Sequence, residues 1–185
     1  AALGGTSSLL VDLSVGFFIG ASAGAGVVIS HCYGAGDRER LRYSVHASMK
    51  LAVICGAALT VVGFLLTPMA LRWMNTPADV LEGATIYLRV YFCGVIPSLL
   101  YNMGSSVLRA VGDAKRPLYF LIFTTVVNIG LDVLFVAVFK MGIFGAALAT
   151  ILAQVFSAVL VLRTLLNTNE SYRLVLGGCE AYPEV

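Results

Sequence analysis

Two polar side chains, four residues apart, stand where this sequence is otherwise apolar. Asn128 and Asp132 lie in the run Val126-Val127-Asn128-Ile129-Gly130-Leu131-Asp132-Val133-Leu134. Residues at i and i+4 of a helix share a face, so the amide and the acid stack one above the other. An acid at the centre of a membrane helix costs ~2.5–3.5 kcal/mol on insertion scales. A lone polar residue is tolerable as packing, but an acid with an amide on the same face points to a polar pocket.

The next apolar stretch supplies matching groups. A tight turn at Lys140-Met141-Gly142 separates the two stretches. Asp132 lies as far before it as Thr150 lies after it, so an antiparallel hairpin puts both ~13 Å from the turn at 1.5 Å per residue. Gln154 is one helical turn beyond Thr150. Asn128, Asp132, Thr150 and Gln154 can thus line one cavity that offers one titratable carboxyl and several oxygen donors. A carboxyl can take up and release a proton, and hard cations such as Na⁺ take oxygen ligands. The plainer alternative is an interhelical hydrogen-bond clamp with no ion. In an earlier stretch Pro97 removes a helix hydrogen bond mid-span and predicts a kink or a hinge. Tyr101 and Asn102, one turn further on, are candidates for lining a water-filled path.

Other chemistries find no footing. Cys32, Cys55, Cys93 and Cys179 are widely spaced, with no CxxC and no Cys/His ligand pattern. The loop Gly34-Ala35-Gly36-Asp37 lacks the GxxxxGK[ST] pattern of a phosphate loop and reads as a helix-ending glycine followed by an Asp N-cap. Val111-Gly112-Asp113 repeats the device. No nucleophile–base pair is evident, so the chain is not expected to be an enzyme. A resident metal or other cofactor is not expected beyond a coupling Na⁺ or H⁺.

The elements that must hold these residues are membrane helices. Of 185 residues 59% are apolar and 12% charged, against roughly 25% charged in ordinary soluble domains. That excludes a typical soluble domain, and the hydrophobicity excludes disorder. A net charge of +2, scattered along the chain, excludes a nucleic-acid partner. A helical span takes ~20 residues. Gly- and Pro-marked breaks leave five spans, roughly 3–29, 45–71 (ending near Pro68), 83–108, 118–139 and 143–165. The expected architecture is all-α, a polytopic bundle over residues 1–172, with 173–185 an irregular cytoplasmic tail. Small residues, Gly16, Gly20 and Gly24 at every fourth position of the first span and Gly145, Ala146, Ala149 and Ala153 in the fifth, predict close helix contacts. One set of loop ends carries Arg38, Arg40, Arg42, Arg109, Lys115, Arg116, Arg163 and Arg173, and the other Arg72, Arg89 and Lys140. The positive-inside rule then makes the first set cytoplasmic in a multi-pass plasma-membrane protein. The first span starts outside, which predicts a preceding helix and hence a piece of a longer protein.

Three stretches carry a family resemblance: Ser30-His31-Cys32-Tyr33-Gly34-Ala35-Gly36-Asp37, Leu108-Arg109-Ala110-Val111-Gly112-Asp113-Ala114-Lys115-Arg116-Pro117-Leu118, and Asn128 to Phe135 with Gly142 to Thr150. In this order and spacing they resemble the multidrug and toxic compound extrusion (MATE) family, over the chain up to about Tyr172. The resemblance implies the second to sixth helices of a twelve-helix, two-lobe transporter, with the second lobe as the partner of this one. It also implies a cation site whose Asn, Asp and Thr match Asn128, Asp132 and Thr150, and a further Asp on the first helix. The implied function is export of cationic or amphipathic compounds in exchange for Na⁺ or H⁺. A flippase for lipid-linked saccharides and a non-transporting scaffold fragment are the alternatives.

Overall fold

A computed structural model describes residues 2–73, 78–168, 170 and 172–174, with only the backbone course described at 2–11, 14 and 78–80. Its elements are α1 (Ala2–Gly34), α2 (Arg38–Trp73), α3 (Ala78–Cys93), α4 (Val95–Ala110), α5 (Lys115–Asp132), a π-helical continuation of α5 (Val133–Val138), and α6 (Gly142–Asn167). Among the described residues four segments are long and apolar enough to cross a bilayer alone: Val15–Gly34, Arg38–Trp73, Lys115–Val138 and Gly142–Asn167. A fifth is made of Leu81–Cys93 and Val95–Ala110, bent by 46° where they meet.

The bend lies at Gly94, three residues ahead of Pro97. Pro97 has no N–H for the Cys93 carbonyl, and its ring crowds that carbonyl, so the helix gives way there. Pro97 itself then falls in the first turn of α4, a position proline tolerates well. The Thr60 hydroxyl of α2 donates to the Phe92 carbonyl at the break, at 3.0 Å, which removes one unsatisfied backbone group from an apolar setting. Pro68 does not end α2, which runs on to Trp73. Just before it, the Thr67 hydroxyl bonds the Gly63 carbonyl.

α4 is the hub and packs on α1, α2 and α6. Its Leu99, Met103, Val107 and Leu108 are fully buried. Gly104 lets Val161 of α6 approach so closely that a methyl group there would collide with it. α1 buries Phe18, Ser22 and Ile29, and the Ser106 hydroxyl of α4 donates to the Ser22 carbonyl at 2.6 Å. The expected close contact along Gly16, Gly20 and Gly24 does not occur among the described residues, since a Cβ at any of them would meet nothing within 4 Å. Those glycines lie half a helical turn from the buried stripe, and Gly26, on the buried side, is the one that meets Ser106. α5 is peripheral. It lies along α6, touches α4 lightly, and buries Pro117 alone of its residues.

Two loops share one construction. Gly36 and Gly112 adopt φ of 72° and 90°, and each closes the preceding helix with a paired backbone motif. Asp37 N–H bonds the Cys32 carbonyl and Gly36 N–H the Tyr33 carbonyl; Asp113 N–H bonds Leu108 and Gly112 N–H Arg109. Each Asp then accepts the backbone N–H three residues on, from Arg40 at 3.0 Å and Arg116 at 3.2 Å, and pairs with that arginine's Nε. Both loops, with the last turns of α6, sit at one end of the bundle. Cys32 lies by Ser44, Ser106 by Gly26, and Tyr101 by Pro117. Arg38, Arg40, Arg42, Arg109, Lys115, Arg116 and Arg163 therefore gather at a single end.

The bundle extends slightly past the expected boundary. Tyr172 and Leu174 are buried, Leu174 N–H bonds the Leu165 carbonyl at 2.9 Å, and Arg173 Nε bonds the Leu166 carbonyl. Chain reversal against the end of α6 thus makes Arg173 and Leu174 part of the fold. The rest of the expected tail, 175–185, lies outside the described residues.

Candidate functional site

α5 presents a half-buried stripe at helical spacing, Thr124, Asn128, Asp132 and Phe135, along an otherwise exposed apolar helix. Both ends of the stripe touch α6. The Ser157 hydroxyl lies 2.8 Å from that of Thr124, and a Cβ on Gly145 would stand 3.1 Å from that of Phe135. Small residues on α6 permit this approach, since Gly145, Ala149, Ala153 and Ser157 recur at four-residue intervals and are all buried. Asn128 and Asp132 lie between the two contacts. Eleven residues of α5 and its π continuation span them, against twelve of α6. Thr150 therefore falls at a level between Asp132 and Asn128.

The turn that closes the hairpin is tight. Lys140 has φ of 54° and Gly142 of 58°, so a non-glycine residue holds a left-handed conformation there. Phe139 N–H bonds the Leu134 carbonyl, five residues back, and Met141 N–H the Phe135 carbonyl. The π geometry begins directly after Asp132. Such insertions in α-helices are rare and concentrate at functional sites.

The polar atoms differ in how they are satisfied. Asn128 Nδ2 is shielded from solvent and has no hydrogen-bond partner. Thr150 Oγ1 donates to the Ala146 carbonyl at 3.0 Å, which leaves its lone pairs available as acceptors. Asp132 is half-buried. Among the described residues no three His, Cys, Asp or Glu side chains converge. An ion here would be held by one carboxylate and neutral oxygens.

The remaining sequence candidates sit elsewhere. Gln154 turns away from α5, and its Oε1 would stand 2.7 Å from a Cβ on Gly94, at the α3–α4 break. The reason is the angular offset, one residue past Ala153 on the α5-facing row. Tyr101 OH donates to the Pro117 carbonyl at 3.3 Å, tying α4 to the start of α5. Asn102 Nδ2 donates to the Ser98 carbonyl at 2.8 Å, within its own helix. Pro97 adjoins the Gly94 bend. Sequence reasoning missed the α4–α6 contact at Gly94, whose signal was a glycine three residues ahead of a proline.

A family model described as MatE matches residues 1–134. "Probable multidrug resistance protein YoeA" of Bacillus subtilis (strain 168) is 36% identical over 150 residues, 79% of this chain and 32% of that protein. The chain thus spans about a third of that relative's length. Two solved structures described as a multidrug resistance MATE family transporter of the MOP superfamily superpose well. The inward-facing conformation gives a TM-score of 0.85 and the outward-facing one 0.87, each with 26% identity over 92% of this chain and 38% of that one.

Proposed function

The chain belongs to the MatE family of multidrug efflux transporters, and on that premise we propose that it is part of a cation-coupled exporter whose coupling ion binds at Asp132. It contributes most of one lobe (residues 1–174), and a second lobe supplies the other wall of the transport path. Asp132 provides the charge, for a proton or for Na⁺, while Asn128 and Thr150 provide neutral oxygens. The exported compounds are cationic or amphipathic small molecules. The basic end faces the cytoplasm of a cell whose plasma membrane holds the protein. The observation that carries this reading is the buried, unpartnered amide of Asn128, one turn from the intramembrane acid, with Thr150 at a level between the two. An orphaned buried polar group costs ~1–3 kcal/mol, and its side-chain amide can turn to present oxygen in place of nitrogen. A hydrogen-bond clamp would have paired it. An intramembrane acid also suits cation exchange better than flipping of an anionic lipid-linked saccharide.

The test is made in the intact transporter. Asp132→Asn keeps shape and an acceptor oxygen but carries no negative charge. It is expected to insert normally and to lose efflux driven by either Na⁺ or pH gradients. Asn128→Ala and Thr150→Ala each remove one neutral ligand, worth ~1.5–3 kcal/mol to a charged group, or roughly ten- to a hundredfold in ion affinity. Both should transport, with a raised requirement for the coupling ion. A well-expressed Asp132→Asn protein that exports at the parental rate under both gradients would refute the assignment. Na⁺-independent export that follows the pH gradient identifies the proton, and export that requires Na⁺ identifies sodium.

A further inference from the structure

At the basic end of the bundle, away from Asp132, a second set of residues converges without a role in ion coupling. A groove of about 740 Å³ opens between the first turns of α5 and the last turns of α6. Arg116, Arg163, Thr164 and Asn167 form its polar part, and Phe120 and Leu160 its apolar part. The two parts are ordered along the helices. Phe120 is one turn deeper into the bundle than Arg116 on α5, and Leu160 is one turn deeper than Thr164 on α6. The groove therefore grades from cationic and hydrogen-bonding at the helix ends to apolar toward the middle of the span.

The two arginines are not equivalent. Arg116 shares its charge with Asp113 through an Nε contact of 3.1 Å, which leaves the rest of its guanidinium edge open. Arg163 makes no ion pair or hydrogen bond among the described residues, and it is exposed. An arginine fork matches the geometry of phosphate oxygens and can bind them in a bidentate way. Asn167 adds an amide donor. The Thr164 hydroxyl is engaged with the Leu160 carbonyl and shapes the wall instead. Beyond the groove both helices stay apolar and exposed on the same faces, at Phe123 of α5 and Phe156 of α6, each about one turn deeper than Phe120 and Leu160, a track along which acyl chains can lie. A soluble phosphate would use the cations but not the apolar floor or the track.

We propose that this groove binds the phosphate headgroup of an anionic phospholipid, with Arg163 and Arg116 on the phosphate and Phe120 and Leu160 against the glycerol and upper acyl region. Basic pockets between membrane helices are suited to such headgroups. The site fixes the α5–α6 hairpin at the level of the membrane interface, independently of which ion binds at Asp132.

The experiment uses the intact transporter in nanodiscs of phosphatidylcholine with a minor fraction of phosphatidylglycerol, read by native mass spectrometry of retained lipid. Wild type should retain phosphatidylglycerol above its bulk fraction. Arg163→Gln and Arg116→Gln should each lower that enrichment about fivefold, Arg163→Lys should keep most of it, and Lys115→Gln, at an exposed cation outside the groove, should change nothing. Thermal unfolding in pure phosphatidylcholine checks that each variant is folded, and Arg163→Lys remains informative if a glutamine variant is not. Equal enrichment in wild type and the folded glutamine variants would overturn the proposal. So would displacement of phosphatidylglycerol by millimolar inorganic phosphate, which would make the ligand a soluble anion. An equal loss from Lys115→Gln would also overturn it, as the mark of a diffuse surface charge.

Discussion

Asn128 holds a buried donor with no partner, and its response to substitution is the test that separates an ion site from a structural clamp. If the amide waits for an ion, Asn128→Leu removes the unsatisfied group without leaving a large cavity. The ion-free protein should then unfold at the same temperature as the parent or higher, because replacing an orphaned polar group by an apolar one of similar shape is neutral or stabilising. Ligand that binds the folded state raises stability by ~2.7 kcal/mol at a hundred times Kd, so the parent should melt later when the coupling ion is added. The Asn128→Leu substitution should flatten that response. Differential scanning of the intact transporter with and without Na⁺, at two pH values, measures both effects. A lower ion-free melting temperature would instead mean that Asn128 is a structural bond, and a preserved ion response would remove it from the site. The stacking of Asn128 on Asp132 was legible from four-residue spacing alone, but the level of Thr150 only approximately: equal counting from Met141 sets it beside Asp132, whereas the contacts at Phe135 and Thr124 set it between Asp132 and Asn128. The orientation of Gln154 was not legible. Spacing says which residues share a face, whereas the neighbour met by that face depends on where α3 and α4 bend.

Among elements, the broken α3–α4 span shows how a bundle absorbs a proline. The break exposes carbonyls at Phe92 and Cys93, and Thr60 from α2 satisfies the first of these. Thr60→Val should therefore cost ~1–3 kcal/mol, the penalty of an unsatisfied buried acceptor. Thr125→Val is the control, since that hydroxyl bonds the Leu121 carbonyl of its own helix at an exposed position; it should be nearly neutral. Comparable losses in the two variants would mean that the Thr60 bond does not brace the break. The glycines separate in the same way. Gly104 admits Val161 into direct contact, so Gly104→Val should destabilise by ~1–3 kcal/mol through overpacking, while Gly20→Val should leave folding of this lobe unchanged. The small-residue pattern was visible at both places. Its meaning was not, because lipid, another helix and a second lobe all accept a glycine face, and only the buried phase of α1, set by Phe18, Ser22 and Ile29, tells them apart. The π segment after Asp132 had no sequence signal at all: Val133 to Val138 is a plain apolar run, and its widened turn arises from closing the hairpin at Lys140.

For the whole molecule, the arrangement of charge gives the most direct prediction. Three separate chain segments bring arginines to one end of the bundle: the α1–α2 loop, the α4–α5 loop and the last turns of α6. The opposite end carries Lys140 at the hairpin turn and Arg72 near the end of α2. Cationic loops are retained on the cytoplasmic side during insertion, so the gathered end should face inward. On the transport proposed here, the lobe is expected to move as a unit. Its two ends should then keep their sides throughout transport. In an intact transporter with the native cysteines replaced, a cysteine at Ala114 should resist a membrane-impermeant thiol reagent applied to whole cells, and one at Lys140 should react. Both positions are exposed, so accessibility within the protein does not confound the comparison. After the membrane is permeabilised, the cysteine at Ala114 should react as readily as the other. Labelling at Ala114 in sealed cells would invert the topology. Asp132 would then lie nearer the cytoplasm than the outer surface, and an ion entering down its gradient would reach the site by a longer path through the lobe, at odds with the exchange proposed.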